Sequence, residues 1–142
     1  AITTDVIVGF PGETEEEFET TREFLENVHF YEMHIFKYSK RKGTKAAVMA
    51  DQVPDDITTK RSGRLLELEK EMSKEFREFY LGRTKEALLE EEMELDGMRY
   101  FTGYTKEYVK VALETAEDIS NTFQTGTITE RLSDDLYLMV EF

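Results

Sequence analysis

With 142 residues, 39% of them hydrophobic and none cysteine, the chain can build one ordinary domain or two small ones, but no disulfide, zinc-thiolate site or iron–sulfur cluster of its own. A net charge of −13 argues against a generic nucleic-acid binder, because Lys and Arg against phosphate supply most non-specific affinity. No apolar run reaches about 18 residues and no basic-then-apolar start is present, so a soluble cytoplasmic protein with no membrane partner is the expectation.

In chain order, Asp5-Val-Ile-Val-Gly-Phe-Pro-Gly-Glu13 reads as a buried strand followed by a tight Gly/Pro/Gly turn. In α/β enzymes such a turn, at the carboxyl end of a strand, is where ligands are met. Thr14 and Glu17 form a capping-box pattern, with Glu15 and Glu16 in the same first turn. Phe18, Thr21, Leu25 and Val28, with Phe24 beside them, then make an apolar stripe at helical spacing. Residues 33–38 read as a second strand. Because a crossover of this kind joins parallel strands, the Gly9–Glu13 turn and the Lys40–Lys45 loop are expected side by side on one rim. Lys37, Lys40, Arg41, Lys42 and Lys45 fall within nine residues, a strongly basic loop in an acidic protein. A strand as apolar as the first requires cover on both faces, yet only one such strand follows. The chain therefore reads as the tail of a larger enzyme, and its open sheet edges predict self-association or a domain swap.

Pro54 and Asp55-Asp56 precede a long helix, about Ile57 to Leu81, with Leu65, Leu68, Met72, Phe76 and Phe79 in a stripe and Gly82 as its stop. From Arg83 onward the period changes to short β-like runs, roughly 84–91, 98–104, 107–113, 122–130 and 136–141, with Asp96-Gly97 and Gly103 as punctuation. Five such strands suggest a small closed barrel, which removes unpaired edges. In the third run Val109, Val111 and Leu113 share one face while Tyr108, Lys110 and Ala112 share the other. With Tyr104 and Lys106 just before it, that second face has the makings of a base-stacking and phosphate-holding surface, and equally those of an ordinary exposed strand. His29 and His34 lack metal-ligand spacing and read as structural, and Glu90-Glu-Glu92 reads as a solvated strand end.

Four motifs occur in a telling order: Asp5-Val-Ile-Val-Gly-Phe-Pro-Gly-Glu13, Tyr38-Ser-Lys-Arg-Lys-Gly-Thr-Lys-Ala-Ala47, Gln52-Val53, and Gly103-Tyr-Thr-Lys-Glu-Tyr-Val-Lys-Val111. In this the chain resembles the carboxyl-terminal part of the radical-SAM methylthiotransferases that modify tRNA. The loop with its Met49-Ala-Asp-Gln-Val53 tail is most similar to the branch acting on threonylcarbamoyladenosine. The resemblance implies an α/β plus all-β organisation: residues 1–56 the end of a radical-SAM (β/α) barrel, residues 57–82 a connecting helix, and residues 83–142 an OB-like TRAM β-barrel. It implies an enzyme that adds a methylthio group to carbon 2 of a modified adenosine beside the anticodon, with S-adenosylmethionine and two [4Fe-4S] clusters as cofactors. The cluster cysteines belong to amino-terminal and radical-SAM regions of such proteins that this chain lacks, so the piece alone is expected to be inactive. Carried over residue by residue, the cofactor-side turn is Gly9, Phe10, Pro11, Gly12 and Glu13. Contacts to a tRNA anticodon stem-loop fall to Lys40, Arg41, Lys42, Arg99, Tyr104, Thr105, Tyr108 and Lys110. Arg41 carries the phosphate, since a guanidinium holds it in a bidentate way. Proline, frequent in the family, is absent at Lys37, Lys40 and Lys45, which makes the loop more basic. A relative that modifies a ribosomal protein fits the same residues, with the acidic barrel docking a basic protein.

Overall fold

The structure, a computed structural model, describes residues 1–141. The chain forms two compact units, Ala1–Ser73 and the residues from Lys74 onward.

In the first unit, strand β1 (Thr3–Val8), helix α1 (Glu15–Val28) and strand β2 (Glu32–Lys37) form a strand–helix–strand unit with the strands parallel, Thr3 beside Glu32 through Val8 beside Lys37. A short 3-10 turn, Ala46–Val48, and helix α2 (Asp55–Glu78) follow. Val6 and Val8 of β1, Met33 of β2, Phe18 and Leu25 of α1, Phe30, and Leu65, Leu68 and Met72 of α2 make one core. Both helices therefore cover the same face of the two-stranded sheet. The cover that so apolar a strand requires is present on that one face only: Ile7 and Phe36, adjacent in register on the other face, are 56% and 52% exposed.

The start of α1 follows from its local chemistry. Thr14 accepts from the Glu17 N–H at 3.1 Å and Glu17 accepts from the Thr14 N–H at 2.9 Å, so two otherwise orphaned donors are satisfied. His29 closes the helix in the left-handed region at φ 58°. His34 lies exposed, 3.4 Å from Asp5 on the neighbouring strand. The apolar stripe of α2 divides: Leu65, Leu68 and Met72 serve the first core, Phe76 packs against that of the second unit, and Phe79 is largely exposed. The helix ends at Glu78, and Gly82, at φ 75°, turns the chain while its N–H donates to the Ile128 carbonyl at 2.7 Å.

In the second unit, β3 (Thr84–Leu95), β4 (Met98–Thr105), β5 (Lys110–Glu114), β6 (Thr122–Arg131) and β7 (Leu136–Glu141) close into a barrel in the order β3-β4-β5-β7-β6. All pairings are antiparallel except β5 with β7. Ala87, Leu89, Phe101, Val109, Val111, Leu113, Ile128, Tyr137 and Met139 fill the interior. A bulge between Leu89 and Glu91 bends β3 around the barrel, and there the strands approach so closely that a Cβ on Gly103 would meet the Leu88 carbonyl oxygen at 1.7 Å.

Two strand expectations change. β5 begins at Lys110 instead of 107, because Tyr108 adopts φ 65° and the Thr105 hydroxyl accepts from the Val109 N–H at 3.3 Å, making residues 105–109 a turn. Ala112 is fully buried, not presented with Tyr108 and Lys110, since an outer cluster of Tyr100, Ala112 and Leu136 covers that part of the barrel. Among the described residues no helix is long and apolar enough to cross a membrane.

Candidate functional site

The first loop is built around Glu13. One of its carboxylate oxygens accepts from the Gly9 N–H at 3.1 Å and from Arg61 Nη1 at 2.8 Å, while the Glu13 carbonyl accepts from the same nitrogen at 3.0 Å. Arg61 is almost fully buried, reaches Glu15 at 3.2 Å and lies 5.5 Å from the centre of the Phe18 ring. A hydrogen-bonded pair removed from water in this way fixes geometry more than it adds stability. Gly9 is left-handed at φ 74°, and a Cβ there would collide with the Thr58 side chain of α2 at 2.2 Å. Its bareness thus admits a helix, not open space. Gly12, at φ 87°, has nothing within 4 Å of the equivalent point. Pro11 is buried, whereas Phe10 is exposed and sets its ring edge-on against Tyr38, centroids 5.4 Å apart. The Tyr38 hydroxyl is buried without a hydrogen-bond partner.

The second loop reaches the same rim, as parallel strands require. The Gly12 N–H donates to the Asp51 carbonyl at 2.8 Å, and the Tyr38 N–H donates to the Val8 carbonyl at 2.8 Å. Thr44 folds the loop by donating to the Arg41 carbonyl at 2.8 Å, and Gln52 closes it by donating to the carbonyls of Ala46 and Met49 at 3.0 and 2.9 Å. Lys37 ties the end of β2 to the start of α2 through Asp55 at 3.2 Å and Thr59 at 3.0 Å. Lys40, Arg41, Lys42 and Lys45 are exposed and make no ion pair among the described residues. Beside Gly12 and Thr14 opens a cleft of about 350 Å3 whose other wall includes Gln52, Pro54 and Arg61.

The barrel residues separate into two groups. Tyr104 and Lys110 are cross-strand neighbours on the outer face, and Tyr108 projects from the adjoining turn. Thr105 is buried, its hydroxyl committed to the turn. Arg99 holds Glu92 with two nitrogens at 2.9 and 3.0 Å and also donates to the Ala116 carbonyl. That guanidinium holds the Glu92 carboxyl below its usual range, and Arg99 itself is raised by the same bond. Lys85 reaches Glu107 at 2.5 Å and lowers its pKa.

Arg61 and Thr58 carry much of the rim geometry without having stood out in the sequence, and Lys37 and Gln52, which did stand out, act there through contacts the motifs do not show. Each acts on a residue distant along the chain or through a backbone carbonyl, and neither leaves a periodic or spacing signal. Among the described residues, no group of three or more His, Asp and Glu could hold a metal ion.

No protein-family model matches the chain. It is 45% identical over 120 residues to a threonylcarbamoyladenosine tRNA methylthiotransferase of Bacillus subtilis, a stretch that is 84% of this chain and 27% of that protein. To a tRNA-2-methylthio-N(6)-dimethylallyladenosine synthase of Akkermansia muciniphila it is 37% identical over 137 residues, 96% of this chain and 30% of the relative. A synthase with the same name from Acetivibrio thermocellus matches at 48% over 106 residues, 75% of this chain and 22% of the relative. The chain thus spans between 22% and 30% of the length of these curated relatives. By this identity, over 75% to 96% of its own length, the chain belongs to the tRNA methylthiotransferase family.

Proposed function

We propose that this chain is the carboxyl-terminal part of a radical-SAM tRNA methylthiotransferase and supplies one wall of the S-adenosylmethionine pocket and the grip on tRNA. In this reading residues 1–56 end the radical-SAM barrel, residues 57–82 connect, and residues 83–142 are a TRAM module. The observation that carries it is the rim itself. A left-handed glycine turn and four cations with no ion pair among the described residues meet at the carboxyl ends of two parallel strands, where α/β sheets bind ligands. Arg41 takes an RNA phosphate, with Lys40 and Lys42 adding positive field.

For the cofactor, Phe10 and Gly12 fit: an exposed ring offers an apolar wall, and a bare backbone permits close approach. Glu13 and Gly9 act one step behind, holding the turn through Arg61 and Thr58, and Pro11 packs beneath. When bound, S-adenosylmethionine supplies the radical and the methyl group. The [4Fe-4S] clusters do not fit these residues, for the sequence has no cysteine, so activity requires the rest of the protein and the piece alone is inactive.

In the barrel, Tyr104, Tyr108 and Lys110 are the RNA-facing residues, and Thr105 and Arg99 keep the turn and the β3–β4 hairpin in shape. The substrate assigned is threonylcarbamoyladenosine, on the strength of the Met49-Ala-Asp-Gln-Val53 tail that closes the basic loop. The 14 acidic against 6 basic groups from residue 83 onward favour a second reading, a barrel that docks a basic ribosomal protein. The test is binding of a tRNA anticodon stem-loop to the chain and to an Arg41→Ala/Lys110→Ala variant, with a basic ribosomal-protein peptide as competitor. Weaker binding by the variant and indifference to the peptide support the tRNA reading; unchanged affinity of the variant overturns the assigned contacts.

A further inference from the structure

Strand register lines up four side chains across the outside of the barrel. Phe123 on β6 stands opposite Leu88 on β3, Leu88 opposite Tyr104 on β4, and Tyr104 opposite Lys110 on β5. Ala87, Leu89, Val109 and Val111, their neighbours along the strands, are buried inside the barrel, so alternation turns the four outward. Phe123 is 64% exposed and Tyr104 45%, with Leu88 and Lys110 half-buried. Adjacent strands lie about 4.8 Å apart, which puts the two rings about 10 Å apart with Leu88 as the floor between them. Lys110, at the end of the row, makes no ion pair among the described residues, whereas Lys85 and Lys106 nearby are engaged by Glu107 and Glu86.

A single exposed ring on a surface is ordinary. A row of ring, aliphatic floor, ring and free ammonium is a chemical pattern. Each ring face offers a base a stacking partner, and the ammonium offers the connecting phosphate a counter-charge. A duplex cannot use it, because its base faces are already stacked.

We propose that the Phe123–Leu88–Tyr104–Lys110 row holds unpaired nucleotides of an RNA, with one base on each ring and a phosphate on Lys110. The proposal rests on the barrel being an RNA-binding module and adds to it the strand β6, with Phe123 as a principal contact and unpaired nucleotides as the ligand class.

The experiment measures binding of the 142-residue chain to an unstructured oligouridine and to a duplex RNA of equal length, by fluorescence anisotropy over a range of salt. Phe123→Ala is expected to weaken oligouridine binding about fivefold or more with the salt slope unchanged, because stacking is not counterion release. Phe123→Tyr, which keeps the ring, is expected to bind as the parent does, and Thr125→Ala on the same strand serves as the control. Lys110→Ala is expected to reduce the slope of log affinity against log salt by about 0.7. Thermal unfolding of each variant shows whether the barrel remains folded. If Tyr104→Ala and Lys110→Ala weaken binding and Phe123→Ala does not, the row is refuted and the RNA-binding barrel survives. If none of the three does, both fall. Preference for the duplex overturns the row, as does concentration-dependent self-association abolished by Phe123→Ala without any effect on RNA.

Discussion

Arg61 is the residue on which the first rim loop turns. Its guanidinium meets the Glu13 side chain and carbonyl and the Glu15 carboxylate, and all but the last of these contacts are shielded from water. Removing one partner of such a pair strands the other, so Arg61→Ala is expected to destabilise the first unit by about 3 kcal/mol, read from urea unfolding. Arg61→Lys is expected to restore only part of this, since an ammonium cannot reproduce the fork. An Arg61→Ala chain as stable as the parent would show the pair to be ornamental. The barrel has its own sensitive ion pair. Lys85 holds the Glu107 pKa below its ordinary value of 4.5, so the stability it contributes is complete above that value and is lost as pH falls through the lowered one. Glu107→Gln is therefore expected to lower the barrel's melting temperature near neutrality, where that contribution is complete, and to converge with the parent as pH falls, which flattens the acid limb of melting temperature against pH.

Among the elements, α1 and β4 show what could and could not be seen in advance. Thr14, Glu17, Phe18 and Leu25 announce α1 because caps and stripes are local, set within one or two turns of helix. The parallel pairing of β1 and β2, and with it the shared rim, was legible for the same reason: a strand–helix–strand run has one common handedness and direction. Gly103, by contrast, read only as punctuation of a hairpin. Its role comes from the Leu88 carbonyl, on a strand that bulges around it, and a bulge leaves no sequence period. Gly103→Ala is expected to destabilise the barrel by about 2 kcal/mol or more, measured by thermal unfolding, while the same change at Gly97, where a Cβ meets open space, is limited to the strain of its φ of 78°. The partnership of Arg61 with Glu13 was hidden in the same way, by 48 residues of separation. So was the turn at Tyr108, where a hydroxyl, not an alternation of side chains, decides where β5 begins.

At the scale of the whole molecule, charge and apolar surface pull apart. The first unit leaves Ile7 and Phe36 side by side on an uncovered sheet face, enough to favour association of copies at high concentration. Sedimentation is expected to show a concentration-dependent shift that Phe36→Ser reduces, and a strictly monomeric parent chain would refute it. Against the net charge of −13, the four cations of residues 40–45, which make no ion pair among the described residues, are a local exception placed at the carboxyl ends of β1 and β2. The central claim is that this exception, with the barrel face, binds tRNA. The most direct measurement is the salt dependence of anticodon stem-loop affinity for the parent chain and for a variant with Lys40, Arg41, Lys42 and Lys45 all changed to Ala. The account predicts weak binding at low salt and a slope of log affinity against log salt reduced by about 2 or more in the variant. An identical slope in the two proteins would contradict it.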